Sequence, residues 1–202
     1  MNSPFNTNFQ PESPRTKSEE RLVGAARDLF FQHGVKRITV EEICKGAGVS
    51  KMTFYRHFPD KTAVALRVLE EEFSRRRRKM REIEVMDLPL DVKLRQIFEA
   101  MIEQSRSQGP GFFAEMLKGA DPALERYIEE ERSRTLQQVR NLFVTAQRLG
   151  EVRKDVKVDL ILRMLDAARD AMLDGSVRNL YADETSLTRE TLSLFFEGVI
   201  RR

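Results

Sequence analysis

One cysteine, two histidines and no tryptophan occur among the 202 residues, and each scarcity closes a class of function. Cys44 alone forms no intrachain disulfide, and with His33 and His57 it makes no cluster of metal-ligand spacing. No metal and no other cofactor is therefore expected. No run of about 18 apolar residues exists, so no helical membrane span and no membrane partner is expected. Residues 1–18 are polar, contain three prolines and lack the apolar core of a secretory leader. These absences point to a reducing cytoplasm.

What is present is the composition of a globular chain, 41% hydrophobic and 33% charged. The net charge of +3 conceals an asymmetry. Residues 1–81 carry 17 Lys+Arg against 10 Asp+Glu, and the remainder 18 against 22. The basic half is the one suited to a polyanion. Six of its cations lie in the run from Arg75 to Arg81, which reads first as a solvated face of a long helix.

Apolar residues recur at helical spacing from Ser18 onward, with no period-2 segment, so the fold class is all-α. Ser18 is the expected N-cap of a first helix carrying Leu22, Ala25, Ala26, Leu29 and Phe30, which Gly34 ends beside His33. Thr39 caps a short helix whose apolar face includes Cys44, read as a small core residue. Gly48 breaks it, Ser50 caps another short helix through His57, and Pro59-Asp60 starts a long fourth helix to about Arg81. Further helices are expected near 91–107, 112–119, 122–148, 156–181 and 185–201. The start, 1–15, reads as a disordered tail.

Two short helices joined by a tight turn have the form of a helix-turn-helix, whose second helix enters the major groove. Thr39 and Ser50 place helix N-termini where phosphate oxygens are attracted. Lys51, Thr53, Tyr55 and His57 alternate with Met52, Phe54 and Phe58, so the aromatic pair can be buried while cations and hydroxyls face out. The string ITVEEICKGAGVSKMTFYRHFPDK, preceded by AARDLFFQHG, closely resembles the TetR family of bacterial transcriptional regulators across residues 16–76. The resemblance implies an N-terminal three-helix helix-turn-helix domain, with its motif near 39–58. A long helix would join it to a C-terminal helical bundle over 77–202, about nine helices in all. It also assigns roles. Thr39 and Tyr55 match phosphate-contacting positions, and Lys61 matches a lysine that reaches the backbone. Ser50, Lys51 and Thr53 occupy the start of the recognition helix, where bases are read, while Arg56 and His57 suit base or backbone. Met52 stands where many relatives have glycine, and it suits either a thymine methyl or plain space-filling.

The second half offers Phe98, Met101, Ile102, Phe112, Phe113, Met116, Phe143, Met164 and Met172. These residue types can line an adaptable cavity for a small hydrophobic or aromatic effector, or simply fill a core. The last two helices are apolar around more than half their circumference, which calls for cover on two sides. Ala167, Ala171, Gly175, Leu192, Phe196, Val199 and Ile200 are the expected homodimer interface. The combined expectation is a homodimeric repressor on a palindromic double-stranded DNA operator, released by an effector. An α-helical enzyme using the cavity, or a DNA-coating protein without a ligand, are the rival classes. Neither a Ser/His/Asp set nor a metal set supports the enzyme.

Overall fold

The computed structural model describes residues 16–107, 121–183, 186–187, 189–191 and 193–194. Among them the chain forms α1 (Lys17–His33), α2 (Val40–Ala47), α3 (Lys51–His57), α4 (Lys61–Glu84), α5 (Leu90–Ser107), α6 (Pro122–Leu149), α7 (Val158–Leu173) and α8 (Gly175–Arg178). Helical residues recur at 186–187, 189–191 and 193–194. The all-α expectation holds. The expected tail, the helix at 112–119 and much of the helix at 185–201 lie outside the described residues, as do Phe112, Phe113, Met116, Leu192, Phe196, Val199 and Ile200.

Short helices survive here because their ends are satisfied. Thr39 and Glu42 form a reciprocal capping box on α2. Ser50 accepts from the Thr53 N–H at 3.1 Å, and Asp60 accepts from the Ala63 N–H at 2.8 Å. At the turn, Gly48 adopts φ 62°, ψ 42°, and the Val49 N–H donates to the Cys44 carbonyl at 3.0 Å. That is the hydrogen bond of a Schellman motif, which favours glycine. A Cβ there would also stand 2.5 Å from the Arg21 guanidinium, which donates to the Gly48 carbonyl at 3.2 Å.

Two helix boundaries differ from expectation. Thr16, rather than Ser18, caps α1, because the T-x-x-E register lets its hydroxyl accept from the Glu19 N–H. The single helix expected over 156–181 is broken at Asp174. Its carboxylate accepts from the Ser176 N–H at 2.7 Å and starts α8, so the chain turns where one long rod was expected.

Two cores form. The first gathers Leu22, Ala26 and Phe30 from α1, Ile43, Cys44 and Ala47 from α2, Phe54 from α3, and Val64, Val68 and Leu69 from α4. Burial raises the Cys44 thiol above its ordinary value, consistent with a packing residue. The second core joins Leu90 and Leu94 to Leu142, Phe143 and Ala146, with Val158, Ile161 and Leu162. Helix α6 belongs to both: Leu124 and Ile128 complete the first core, and its later turns build the second.

The basic run of α4 is not merely a solvated face. Arg77 and Arg134 both pair with Glu131, which is 1% exposed, and Arg75 pairs with Glu72, which is 4% exposed. Arg76 lies 5.1 Å over the Phe73 ring, and Arg27 of α1 reaches Glu71 and Glu72. Two buried carboxylates on helices α4 and α6 draw these guanidinium groups inward, because a buried charge requires partners. Tyr127 sits among them, and burial followed by the Glu131 charge pushes its phenol up to about 12.

Candidate nucleic-acid interface

Helix α3 owes its orientation to its aromatic residues. Phe54 is fully buried and Phe58 nearly so, with ring centroids 5.9 Å apart. Side chains between them must then face away from the core. Met52 is 83% exposed and Tyr55 56% exposed, with Lys51 and Arg56 also exposed. The Tyr55 ring stands edge-on to Phe54 at 5.3 Å, which fixes the direction of its hydroxyl.

The structure brings Ser50, Lys51, Met52, Thr53, Tyr55 and Arg56 together on one short exposed element. Ser50 and Thr53 are also joined side chain to side chain at 3.0 Å. Thr39 stands at the start of α2, and its hydroxyl donates to Glu42 at 2.7 Å. Hydrogen bonds from the Thr39 N–H and hydroxyl hold the Glu42 carboxyl below the ordinary carboxylate value.

Two expected contacts are engaged within the protein. The Lys61 ammonium donates to the carbonyls of Val35, Lys36 and Ile38 at 2.8, 3.1 and 2.8 Å. An ammonium has three donors, so Lys61 here secures the loop that leads into Thr39 rather than standing ready for a phosphate. His57 Nε2 lies 2.9 Å from the Ser18 hydroxyl and 3.4 Å from that of Thr16. It ties the end of α3 to the start of α1.

Sequence reasoning missed Ser18, Arg21 and Glu41 as parts of this surface. Glu42 was legible as the fourth residue of a T-x-x-E box. Glu41 was not, because it forms an ion pair with Lys51 across the turn, ten positions along the chain. Their hydrogen bond lowers the Glu41 carboxyl and raises the Lys51 amine from their ordinary values.

The expected effector site fares differently. Phe143 is fully buried in the second core, so it fills space. Met164 is 46% exposed and points out of α7, because Ile161 and Leu162 are the residues that face inward. Phe98, Met101 and Ile102 fall on α5, and Met172 on α7, but their side chains lie outside the described residues. An open hollow of about 260 Å³ lies instead between the α4–α5 turn and the end of α6, lined by Leu88, Pro89, Lys93, Leu142, Leu149 and Glu151. Of the expected effector residues whose side chains are described, neither Phe143 nor Met164 lines it. Among the described residues no metal-ligand group occurs, and no helix is long and apolar enough to cross a membrane.

Of the expected interface, Ala167, Ala171 and Gly175 are exposed. With Leu160, which is 56% exposed, and Met164, the two alanines follow one side of α7, while Gly175 opens α8. That apolar stripe is the outer face of the second core.

Residues 22–68 match the family model described as bacterial regulatory proteins, tetR family. Over 157 residues the chain is 27% identical to the HTH-type transcriptional repressor DhaR of Mycobacterium sp. (strain GP1), covering 76% of this chain and 79% of that one. It is 24% identical over 162 residues to the HTH-type transcriptional regulator UidR of Escherichia coli K12, covering 78% and 80%. The fold matches the fatty acid degradation regulator FadR of Bacillus halodurans with TM-score 0.74 at 20% identity, covering 92% and 98%. It also matches the SmeT–triclosan complex with TM-score 0.74 at 21% identity, covering 92% and 93%. A motif that folds as a helix-turn-helix where the family model matches, in a chain similar along most of its length to HTH-type transcriptional regulators, makes residues 22–68 a DNA-binding segment of the tetR type and the chain a relative of DNA-binding transcriptional regulators.

Proposed function

We propose that the chain acts in the cytoplasm as a homodimeric repressor that grips a palindromic operator and releases it when a small hydrophobic or aromatic effector binds. The observation that carries this reading is the outward face of α3. Lys51, Met52, Tyr55 and Arg56 are exposed together while Phe54 and Phe58 anchor the helix from behind. A methionine 83% exposed has no role in the fold, and it suits contact with a thymine methyl. Lys51 and Thr53 are assigned to base edges, with Ser50 at the helix start. Tyr55 and Thr39 are assigned to phosphates, and Arg56 to base or backbone. Lys61 and His57 act by placing the loop and the helix end. Thr39 donates to DNA only by exchanging its Glu42 partner.

The dimer reading rests on the stripe Leu160, Met164, Ala167 and Ala171, where small residues let two helices approach closely. A two-fold axis through this stripe would set two recognition helices on successive major grooves. The effector reading rests on kinship: DhaR is a repressor and SmeT forms a complex with triclosan. Release requires an effector that binds one dimer geometry better than the other. The coupling element is α6, which shares side chains with both cores. Its N-cap Asp121 also accepts a hydrogen bond from Thr62 of α4 at 2.9 Å.

Selection of binding sites from random duplex DNA with purified protein tests the reading. One palindromic sequence, protected as a single footprint, is the expected result. Uniform coating of all duplexes would overturn it. A screen of hydrophobic compounds for loss of that footprint then tests release.

A further inference from the structure

We propose that Glu41 is a specificity-determining residue of this DNA-binding surface, acting through Lys51: its carboxylate restrains the lysine so that a base edge, and not any nearby phosphate, becomes the favoured new partner. The proposal rests on the regulator reading above.

Glu41 is the second residue of α2 and Lys51 the first of α3, so their ion pair spans the turn of the motif. Both side chains are more than half exposed, at 59% and 55%. A pair so exposed adds little to folding. The turn is already fixed by the Gly48 geometry, the Ser50 cap and the burial of Ile43, Ala47 and Phe54. The pair therefore needs another reason to sit at the tip of the recognition helix.

Lysine is a point charge on a flexible four-carbon stem, satisfied by any phosphate. Left alone, Lys51 would strengthen binding to every sequence, because phosphate contacts dominate non-specific affinity. Glu41 changes that balance. Sharing the ammonium with a phosphate brings a second full anion up against the Glu41 carboxylate, and the two anions repel. A base edge asks for less. An ammonium has three donors, so one can stay on Glu41 while others reach the O6 and N7 acceptors of a guanine. The carboxylate thus penalises the indiscriminate contact more than the selective one, which is how specificity is built against a competitor.

The test compares wild type, Glu41→Gln, Lys51→Ala and the double variant on the selected operator and on a scrambled duplex of equal length, across a salt series. Both positions are exposed, and matching thermal melts establish that the variants are folded. Glu41→Gln is expected to tighten scrambled-duplex binding about 3- to 10-fold and to steepen its salt slope by about one. Operator affinity should change less than about 2-fold, so discrimination falls. In the Lys51→Ala background the same substitution should leave discrimination unchanged. Equal tightening on both duplexes, with or without Lys51, would mean that Glu41 acts only through net charge and would overturn the proposal. A new base preference in Glu41→Gln that persists in the Lys51→Ala background would also overturn it, by making Glu41 a reader of bases itself. If wild type does not separate operator from scrambled DNA, the regulator reading fails instead, before Glu41 is tested.

Discussion

The first core is built mainly from four consecutive helices, closed by Leu124 and Ile128 of α6, and each of the four ends on a glycine or starts on a hydroxyl or carboxylate cap. The second core joins α5 to the end of α6 and to α7, which come together only after a long excursion of the chain. In the first, local chemistry decides both where the helices stop and which side chains face out. In the second, the direction of each face is decided by distant partners. Function follows the same division. The proposed DNA-reading face is carried by a short string, whereas the proposed effector recognition would depend on how long helices pack.

The sharpest way to break this comparison is to empty each core in turn. Phe54→Ala and Phe143→Ala should each lower stability by about 3–5 kcal/mol, because both rings are fully buried. Helix α6 threads both cores, so calorimetry should show one transition in each variant. Below that transition, Phe143→Ala should still bind the operator and Phe54→Ala should not. Two separate transitions, with only one displaced, would show that the halves are independent and that α6 does not couple them.

Legibility followed locality. Thr39, Gly48, Ser50 and Phe54 were placed from the sequence alone, because capping, left-handed glycine and aromatic spacing act over a few residues. Ser18 was misread as a cap because Thr16, two positions earlier, offers the same chemistry with Glu19 in better register. Asp174 was read through as helix, since nothing in the apolar pattern of 156–181 marks a break except a short Asp-Gly-Ser. Phe143 and Met164 could not be sorted into core and surface by residue type. Periodicity gives the faces of a helix but not which neighbour each face meets. The inward turn of Arg77 was equally hidden, because its partner Glu131 lies on another helix.

A second break concerns the outer face of α7. Ala171→Glu places a charge in the stripe formed with Leu160 and Met164, and both copies would carry it if the stripe is the two-fold seam. Light scattering should then show a folded monomer. Operator affinity should fall about 100-fold or more, since the two half-sites are no longer engaged together. A folded dimer with unchanged affinity would move the interface elsewhere.

The buried carboxylate of α6 offers a finer comparison. Glu131→Gln keeps the shape but removes the charge that holds Arg77 and Arg134. Both guanidinium groups are partly exposed, so they can turn to water, and the expected loss is about 1–3 kcal/mol. Denaturant unfolding measures it. The same variant should bind operator DNA as wild type does, because the ring and cap contacts that aim α3 do not involve Glu131. A large fall in DNA affinity at unchanged stability would make Glu131 part of the coupling between the halves.

The smallest expected effect separates two roles within the recognition helix itself. Tyr55→Phe removes one oxygen and keeps the ring edge-on to Phe54, so α3 should not move. If the hydroxyl meets a phosphate, the loss should be about 0.5–1.5 kcal/mol and equal on operator and scrambled duplexes. A phosphate oxygen is present at that position whatever the base, so discrimination stays constant while affinity falls. Titration of both duplexes with the purified variant measures the two losses side by side. A loss confined to the operator would place Tyr55 on a base edge. The exposed face of α3 would then read sequence along its whole length rather than mainly at its first turn.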